Sequence, residues 1–407
     1  MLNYLSSKPK QIDCAIKQEV SDFIVEEIME DGTILECNKQ IKRANNGSQF
    51  VHFVLQKENW STTDATRKIA SCLHISPKRI NYAGTKDKRA ITTQLMSAFG
   101  IKKESIVDLK ISGMKILGAW NSKKKVELGT LLGNRFKIKI SEKINEKKIS
   151  EAFSELNGKF PNYFGPQRFG GTRENTHKIG EAVLRSELRS AVEMYLMDYT
   201  NETNAYAIEA RKQLCEERDY KKALAYFPKH LKLERLMLLH LAKYPNDYGG
   251  ALRKLPRQIL LLFVHAFQSY IFNIMLSERL CEGESKIDKL KLEEGEYYCG
   301  EKFGFPDLEK KTVKNIDNKW IAGKIIGYQS ELNERESGIL ERFNIRKTDF
   351  RIKALPEINS KGTYRTLLAP LKDFCFKEDV FRFSLPSGSY ATSALREFVN
   401  LKPIRCE

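Results

Sequence analysis

The chain has no Cys-x-x-Cys pair, and its eight cysteines (Cys14, Cys37, Cys72, Cys215, Cys281, Cys299, Cys375 and Cys406) are scattered through 407 residues. That spacing argues against a zinc site or a disulfide framework and for reduced thiols in a cytoplasmic protein. The six histidines form no catalytic or metal-binding cluster, so no metal is expected. A Gly-x-x-x-x-Gly-Lys-Ser/Thr run is also missing, which disfavours a phosphate-loop enzyme. The opening ten residues lack the apolar centre of a signal peptide. The most apolar run, Ile259 to Phe267, is too short to span a bilayer and contains His265, so it is expected to be a core helix and no membrane partner is implied. Internal repeats and low-complexity segments are absent.

What is abundant is positive charge. The formal net charge is +17, which calls for an acidic partner, nucleic acid or a negatively charged membrane surface. With 41% hydrophobic residues the chain can bury a substantial core and is long enough for two or three domains.

Periodicity places the elements. Strands are expected at 23–27, 50–55 (Val51, Phe53 and Leu55 on one face), 80–83, 91–96, 114–120 and 134–140. In the last of these, Phe136, Ile138 and Ile140 alternate with Arg135, Lys137 and Lys139, giving one apolar face and one row of cations. That row is either a solvated outer face or, with Lys123-Lys124-Lys125 upstream, an anion-binding surface. Ser61 and Asp64 open a helix that ends before Pro77. After Gly171 the pattern turns helical: 178–184, 191–199, 205–215, 221–226, 231–243 and a long helix over 256–280. Short β-like pieces return from 296 to 328, a helix covers 331–343, and strands are expected at 363–368 and 380–385. A final Ser-capped helix after Pro386-Ser387-Gly388-Ser389-Tyr390 would offer an anion-facing N-terminus.

One stretch stands out. In Gly84-Thr85-Lys86-Asp87-Lys88-Arg89-Ala90 a single carboxylate lies among three cations between two strands, with Gly84 expected to permit a sharp reversal. Lys86, Lys88 and Arg89 would favour the charged form of Asp87 and attract a polyanion. By spacing alone this is either a catalytic loop or a charged, solvated hairpin.

Three stretches together decide between them. Gly84-x-Lys86-Asp87-x-x-Ala90-x-Thr92-x-Gln94, Pro161-Asn162-Tyr163-Phe164-Gly165-x-Gln167-Arg168-Phe169-Gly170 and Pro386-x-Gly388-Ser389-Tyr390-Ala391-Thr392-x-x-x-Arg396-Glu397 occur in order and resemble the signatures of the TruD family of pseudouridine synthases. The resemblance covers most of 12–171 and 363–400 and thins between them, where the helical segment is similar to the larger archaeal or eukaryotic forms.

The family implies an α/β (α+β) fold, a catalytic domain with a central mixed, largely antiparallel sheet interrupted by a large, partly helical insertion. The expected division is 1–171 and 373–407 for the catalytic domain and 172–372 for the insertion. It implies isomerisation of a uridine in tRNA, at position 13 in some tRNAs, with no cofactor. Carried over residue by residue, Asp87 is the nucleophile and Lys17 the basic residue beside it, while Phe23, Asn134, Phe136 and Tyr390 line the uridine pocket. Tyr390 departs from the bacterial members, which often have Phe there. Lys86, Lys88, Arg89, Arg135, Lys137, Lys139 and Arg168 are expected to meet RNA. No protein partner is implied and a monomer is expected. The rival reading is a basic RNA-binding or RNA-folding protein without chemistry; a carboxylate among phosphate-facing cations argues against it.

Overall fold

The strands expected from alternation at 23–27, 50–55, 114–120 and 134–140 all form, as Phe23–Met29, Phe50–Glu58, Met114–Ser122 and Leu131–Lys139. The computed structural model describes residues 2–6, 12–282, 290–312 and 320–402, so Cys406 and residues 7–10 of the opening segment lie outside the described residues. In the main sheet the strands run, edge to edge, Lys372–Lys377, Val380–Pro386, Leu131–Lys139, Phe23–Met29, Ile91–Phe99, Phe50–Glu58 and Met114–Ser122, with Ile80–Tyr82 also paired to Ile91–Phe99. Only Phe23–Met29 and Ile91–Phe99 run parallel; the other pairs in this sheet are antiparallel. This is the mixed, largely antiparallel sheet that was expected.

Sequence explains how the chain's end returns to it. Phe381, Phe383 and Leu385 alternate and are fully buried, each stabilising the fold by about 1.5–3 kcal/mol. They do so by pairing with Leu131–Lys139, Phe383 opposite Phe136 and Leu385 opposite Asn134. Gly133 permits that closeness, since a Cβ there would lie 2.3 Å from the Leu385 carbonyl oxygen.

One edge of Ile91–Phe99 is shared. Phe23–Met29 runs along Ile91 to Thr93, and Ile80–Tyr82 along Met96 to Ala98. Between them the Leu95 N–H donates to the Glu27 carboxylate at 3.0 Å. The 83–90 loop leaves the sheet at this break, where Tyr82 pairs with Met96, and rejoins it at Ile91. Gly84 is not in the left-handed region, and a Cβ on it would make only ordinary contacts, 3.7 Å from Leu131 and 3.9 Å from the Lys86 ammonium. The reversal therefore does not depend on glycine, contrary to expectation.

One face of the sheet is covered by the helix Thr62–Cys72, whose N-cap Ser61 accepts from the Asp64 N–H; Ile69 and Ala70 pack there against Val51, Phe53, Leu55 and Met96. The larger apolar core runs without a break from Phe136, Phe381 and Phe383 through Phe160 and Phe164 to Phe263, Phe267 and Phe272 of the long helix Arg257–Cys281. That helix is longer than the apolar run alone implied and, by length and composition, long enough to cross a membrane, but most of the stretch is buried inside the protein. The preceding helices form where the periodicity put them, with one unforeseen short helix, Tyr248–Leu252. A separate four-stranded sheet is ordered Phe305–Thr312, Tyr297–Lys302, Trp320–Ile325, Thr363–Thr366.

Candidate active site

The site follows from the register of two strands. Val25 lies opposite Phe136, and Glu27 opposite Asn134, so these side chains share one face of the sheet. On that face Phe23 and Phe136 meet edge to face at 6.2 Å and floor a cleft of about 450 Å³. Such a volume falls within the roughly 300–1,000 Å³ of small-molecule sites. Lys17, Asp87, Asn134, Gln167, Arg168 and Tyr390 also line it. The residues expected to form the uridine pocket are thus brought together.

Asp87 is about a third exposed and stands between two partners. Lys17 holds one carboxylate oxygen at 3.3 Å, and the Gln167 side-chain N–H donates to the other at 3.3 Å. Lys17 is itself constrained. It is buried, its ammonium lies 4.0 Å over the Phe23 ring, and its backbone is left-handed at φ 62°, a conformation that costs a non-glycine residue about 1–3 kcal/mol. Holding a cation against the carboxylate from a strained backbone is typical of a site rather than of a surface lysine.

The cations of the loop itself behave differently from expectation. Lys86 is buried and lines the cleft, but the carboxylate it pairs with is that of the buried Glu27, at 2.7 Å, and not that of Asp87. Arg89 donates to the Gln18 carbonyl, and Lys88 is exposed. Arg135 is held by Glu26, directly opposite it in the ladder, and by Glu36. Lys137 and Lys139 are exposed, but strand alternation puts them on the reverse face of the sheet from the cleft. Lys137 and Lys139 thus point away from the cleft, and the cations that line it are Lys17, Lys86 and Arg168.

The second and third sequence signatures build the far wall. Asn162 donates through its side-chain amide to Thr366, and its amide oxygen accepts from Arg365 at 2.6 Å and from the Ser389 hydroxyl at 2.9 Å. Arg365, which sequence reasoning missed, also donates to the carbonyls of Asn162 and Gly388 and lies over the Phe164 ring. Burial holds its guanidinium down to about 9. Phe164 is fixed by Asn273 of the long helix, which accepts from its N–H and donates to its carbonyl. Gly165 leaves room for Tyr390, whose ring a Cβ would meet at 2.9 Å. The last helix is only Ala391–Leu395, and its N-cap Tyr390 makes no side-chain cap. Ser389 bonds Asn162 instead, so the expected Ser-capped anion site does not form.

Two atoms at the cleft have unmet polar capacity. The Asn134 amide oxygen and the Arg168 Nε are buried with no partner in the structure. Other residues that sequence reasoning passed over hold the Asp87 loop from behind. The Lys86 N–H donates to the Thr62 hydroxyl at 2.9 Å, Thr62 donates to the Gln94 side-chain oxygen at 3.0 Å, and Lys57 donates to the Asp87 carbonyl at 2.8 Å. Glu27 and Lys57 each left a signal, a charged residue closing a row of alternating apolar ones. Among the described residues no cluster of His, Cys, Asp and Glu is arranged to hold a metal.

A family model described as tRNA pseudouridine synthase D (TruD) matches residues 1–398. A relative from Methanosarcina acetivorans named "Probable tRNA pseudouridine synthase D" is 35% identical over 99% of this chain and 96% of its own length. One of the same name from Methanococcus vannielii is 37% identical, covering 96% of each. A crystal structure of a Methanosarcina mazei protein that bears the TruD name superposes with a TM-score of 0.75 at 31% identity, over 99% of this chain and 97% of that one.

Proposed function

Because this chain belongs to the TruD family of tRNA pseudouridine synthases, we propose that it isomerises uridine 13 of tRNA to pseudouridine with Asp87 as nucleophile. The observation that carries this reading is a carboxylate held by Lys17 and Gln167 at the edge of an aromatic-floored cleft with an unpaired amide oxygen inside it.

The reaction breaks the N1–C1′ bond, turns the uracil, and joins C5 to C1′. A proton leaves C5 and N1 ends protonated, so the product is an isomer and no oxidant or cofactor is consumed. Asp87 can open it by attack at C1′ or at uracil C6. Lys17 orients the carboxylate by holding one oxygen, and Gln167 holds the other until the base displaces it. Phe136, with Phe23 behind it, gives the extruded base a stacking surface. Stacking recovers about 1–3 kcal/mol of the few kcal/mol spent on unstacking. The Asn134 amide oxygen accepts the uracil N3–H, which satisfies an acceptor otherwise left bare. Tyr390 closes the far side. Lys88 and Arg168 meet the flanking phosphates, and RNA binding is otherwise nonspecific charge attraction from a chain of net charge +17. A monomer in the cytoplasm completes the reading.

The test is direct: purified protein is incubated with an unmodified tRNA transcript and pseudouridine is mapped by nucleotide position. A product at position 13 is expected. Conversion at another position, or none, would refute the assignment.

A further inference from the structure

Lys57 stands where an apolar residue belongs. Val51, Phe53 and Leu55 of its strand share one face, and Lys57 is next in that row, with its side chain fully buried. The other buried lysines around the loop have carboxylates, Lys86 with Glu27 and Lys17 with Asp87. Lys57 has no carboxylate in salt-bridge contact among the described residues, and its donors go to main-chain carbonyls: Trp60 at 2.6 Å, Asp87 at 2.8 Å and Lys86 at 3.5 Å. A buried ammonium without a counter-ion is costly, and burying it is unnecessary for filling space, since methionine would fill the same volume.

We propose that Lys57 is a positioning residue of the uridine site, its ammonium tying the Trp60 and Asp87 carbonyls together and so fixing the backbone from which the Asp87 carboxylate is presented. The proposal rests on the reading of Asp87 as nucleophile. Few bonds separate the Asp87 backbone from its carboxylate, so a shift of the loop passes directly to the reacting oxygen. A misplacement of about 1 Å costs on the order of 100-fold in rate. Thr62 on the Lys86 N–H and Gln94 on the Gly84 carbonyl act one and three residues earlier in the loop, and Arg89 on the Gln18 carbonyl acts two residues later. Lys57 acts on Asp87 itself.

The charged groups around the Lys57 ammonium are Asp87 and Lys86 on the loop, with Lys17 and Glu27 paired behind them. Burial holds Lys57 down to about 8; the Asp87 carboxylate pushes it up and Lys86 pushes it further down. Below that pH the clamp carries its full charge, and above it the neutral amine binds carbonyls weakly. Turnover should therefore fall as pH rises through about 8.

The experiment measures the single-turnover rate constant at saturating tRNA, tRNA affinity and melting temperature for wild type, Lys57→Met, Lys57→Arg and, as reference, Asp87→Asn. Lys57→Met should melt near wild type, bind tRNA within about twofold, and turn over about 100-fold more slowly. The wild-type rate should decline above about pH 8, and Lys57→Arg, whose guanidinium stays charged, should move that decline to higher pH. A folded Lys57→Met at near wild-type rate overturns the proposal, as does a loss of rate that only follows a loss of melting temperature. Should Lys57→Met fail to fold, the wild-type profile and Lys57→Arg decide, and a rate constant flat from roughly pH 7 to 9.5 overturns it. An active Asp87→Asn would instead refute the nucleophile; an inactive one beside an active Lys57→Met refutes Lys57 alone.

Discussion

Glu27→Gln isolates the device beneath the Asp87 loop. Glu27 and Lys86 are both buried and lie 2.7 Å apart. The amide of glutamine keeps an oxygen for the Leu95 N–H but leaves the Lys86 ammonium without a counter-ion. Removing one partner of a buried ion pair costs about 3–5 kcal/mol. An unfolding entropy of about 2.1 cal/mol/K per residue makes each kcal/mol worth about 1 °C in a chain of this size unfolding as one unit, so the loss is roughly 3–6 °C. By contrast, Arg67→Gln breaks the exposed Arg67–Asp64 pair, worth about 0–1 kcal/mol, and serves as control. Melting by circular dichroism should rank the two accordingly. The double variant Glu27→Gln with Lys86→Met removes the stranded charge and should regain part of the loss, giving a coupling energy of about 0.5–3 kcal/mol. A Glu27→Gln protein that melts within about 1 °C of wild type, or a double variant no better than the single, would refute the view that this pair is a buried neutralised unit.

Three further outcomes are expected. Asn134→Ala and Phe136→Ala should each slow turnover by about 1–3 kcal/mol in activation free energy while tRNA affinity stays nearly constant, checked by single-turnover assay and filter binding; a matching loss of affinity and fold would make both residues structural. Lys88→Ala and Arg168→Ala should each lower the slope of log affinity against log salt by about one, whereas Lys137→Ala with Lys139→Ala, on the reverse face, should leave it nearly unchanged. Burial holds His177, stacked on Tyr270, down to about 4, while the unfolded chain's histidine titrates near 6.5. Its contribution to stability is therefore complete above about pH 6.5 and lost as pH falls towards 4, and His177→Phe should flatten that part of the melting-temperature profile.

Much of the architecture was legible because it rests on local periodicity. Val51, Phe53 and Leu55, or Phe381, Phe383 and Leu385, declare strands by themselves. What was not legible is which partner a charged side chain takes. The motif puts Lys86 beside Asp87 in sequence, yet its carboxylate comes from Glu27, on a strand some sixty residues earlier, brought there by the break in the Ile91–Phe99 edge. The same holds for Arg135, which Glu26, opposite it in the ladder, and Glu36 neutralise. Arg365 gave no signal at all, since its role comes from Asn162 and Gly388 converging on it from two distant segments. Sequence spacing singles out Asp87; the tertiary pairing decides which of the nearby cations already have a carboxylate partner.

Asp87→Asn isolates the nucleophile. It keeps side-chain volume, replaces the carboxylate with an amide too weakly nucleophilic to open a glycosidic bond, and leaves the carbonyl that Lys57 holds. On one preparation, melting temperature, tRNA affinity and pseudouridine formation are measured together. The expected result is a stable protein that binds tRNA as well as wild type or better, since a negative charge near phosphate is removed, and that makes no detectable pseudouridine. A stable, tRNA-binding Asp87→Asn protein that forms pseudouridine at near wild-type rate would contradict it.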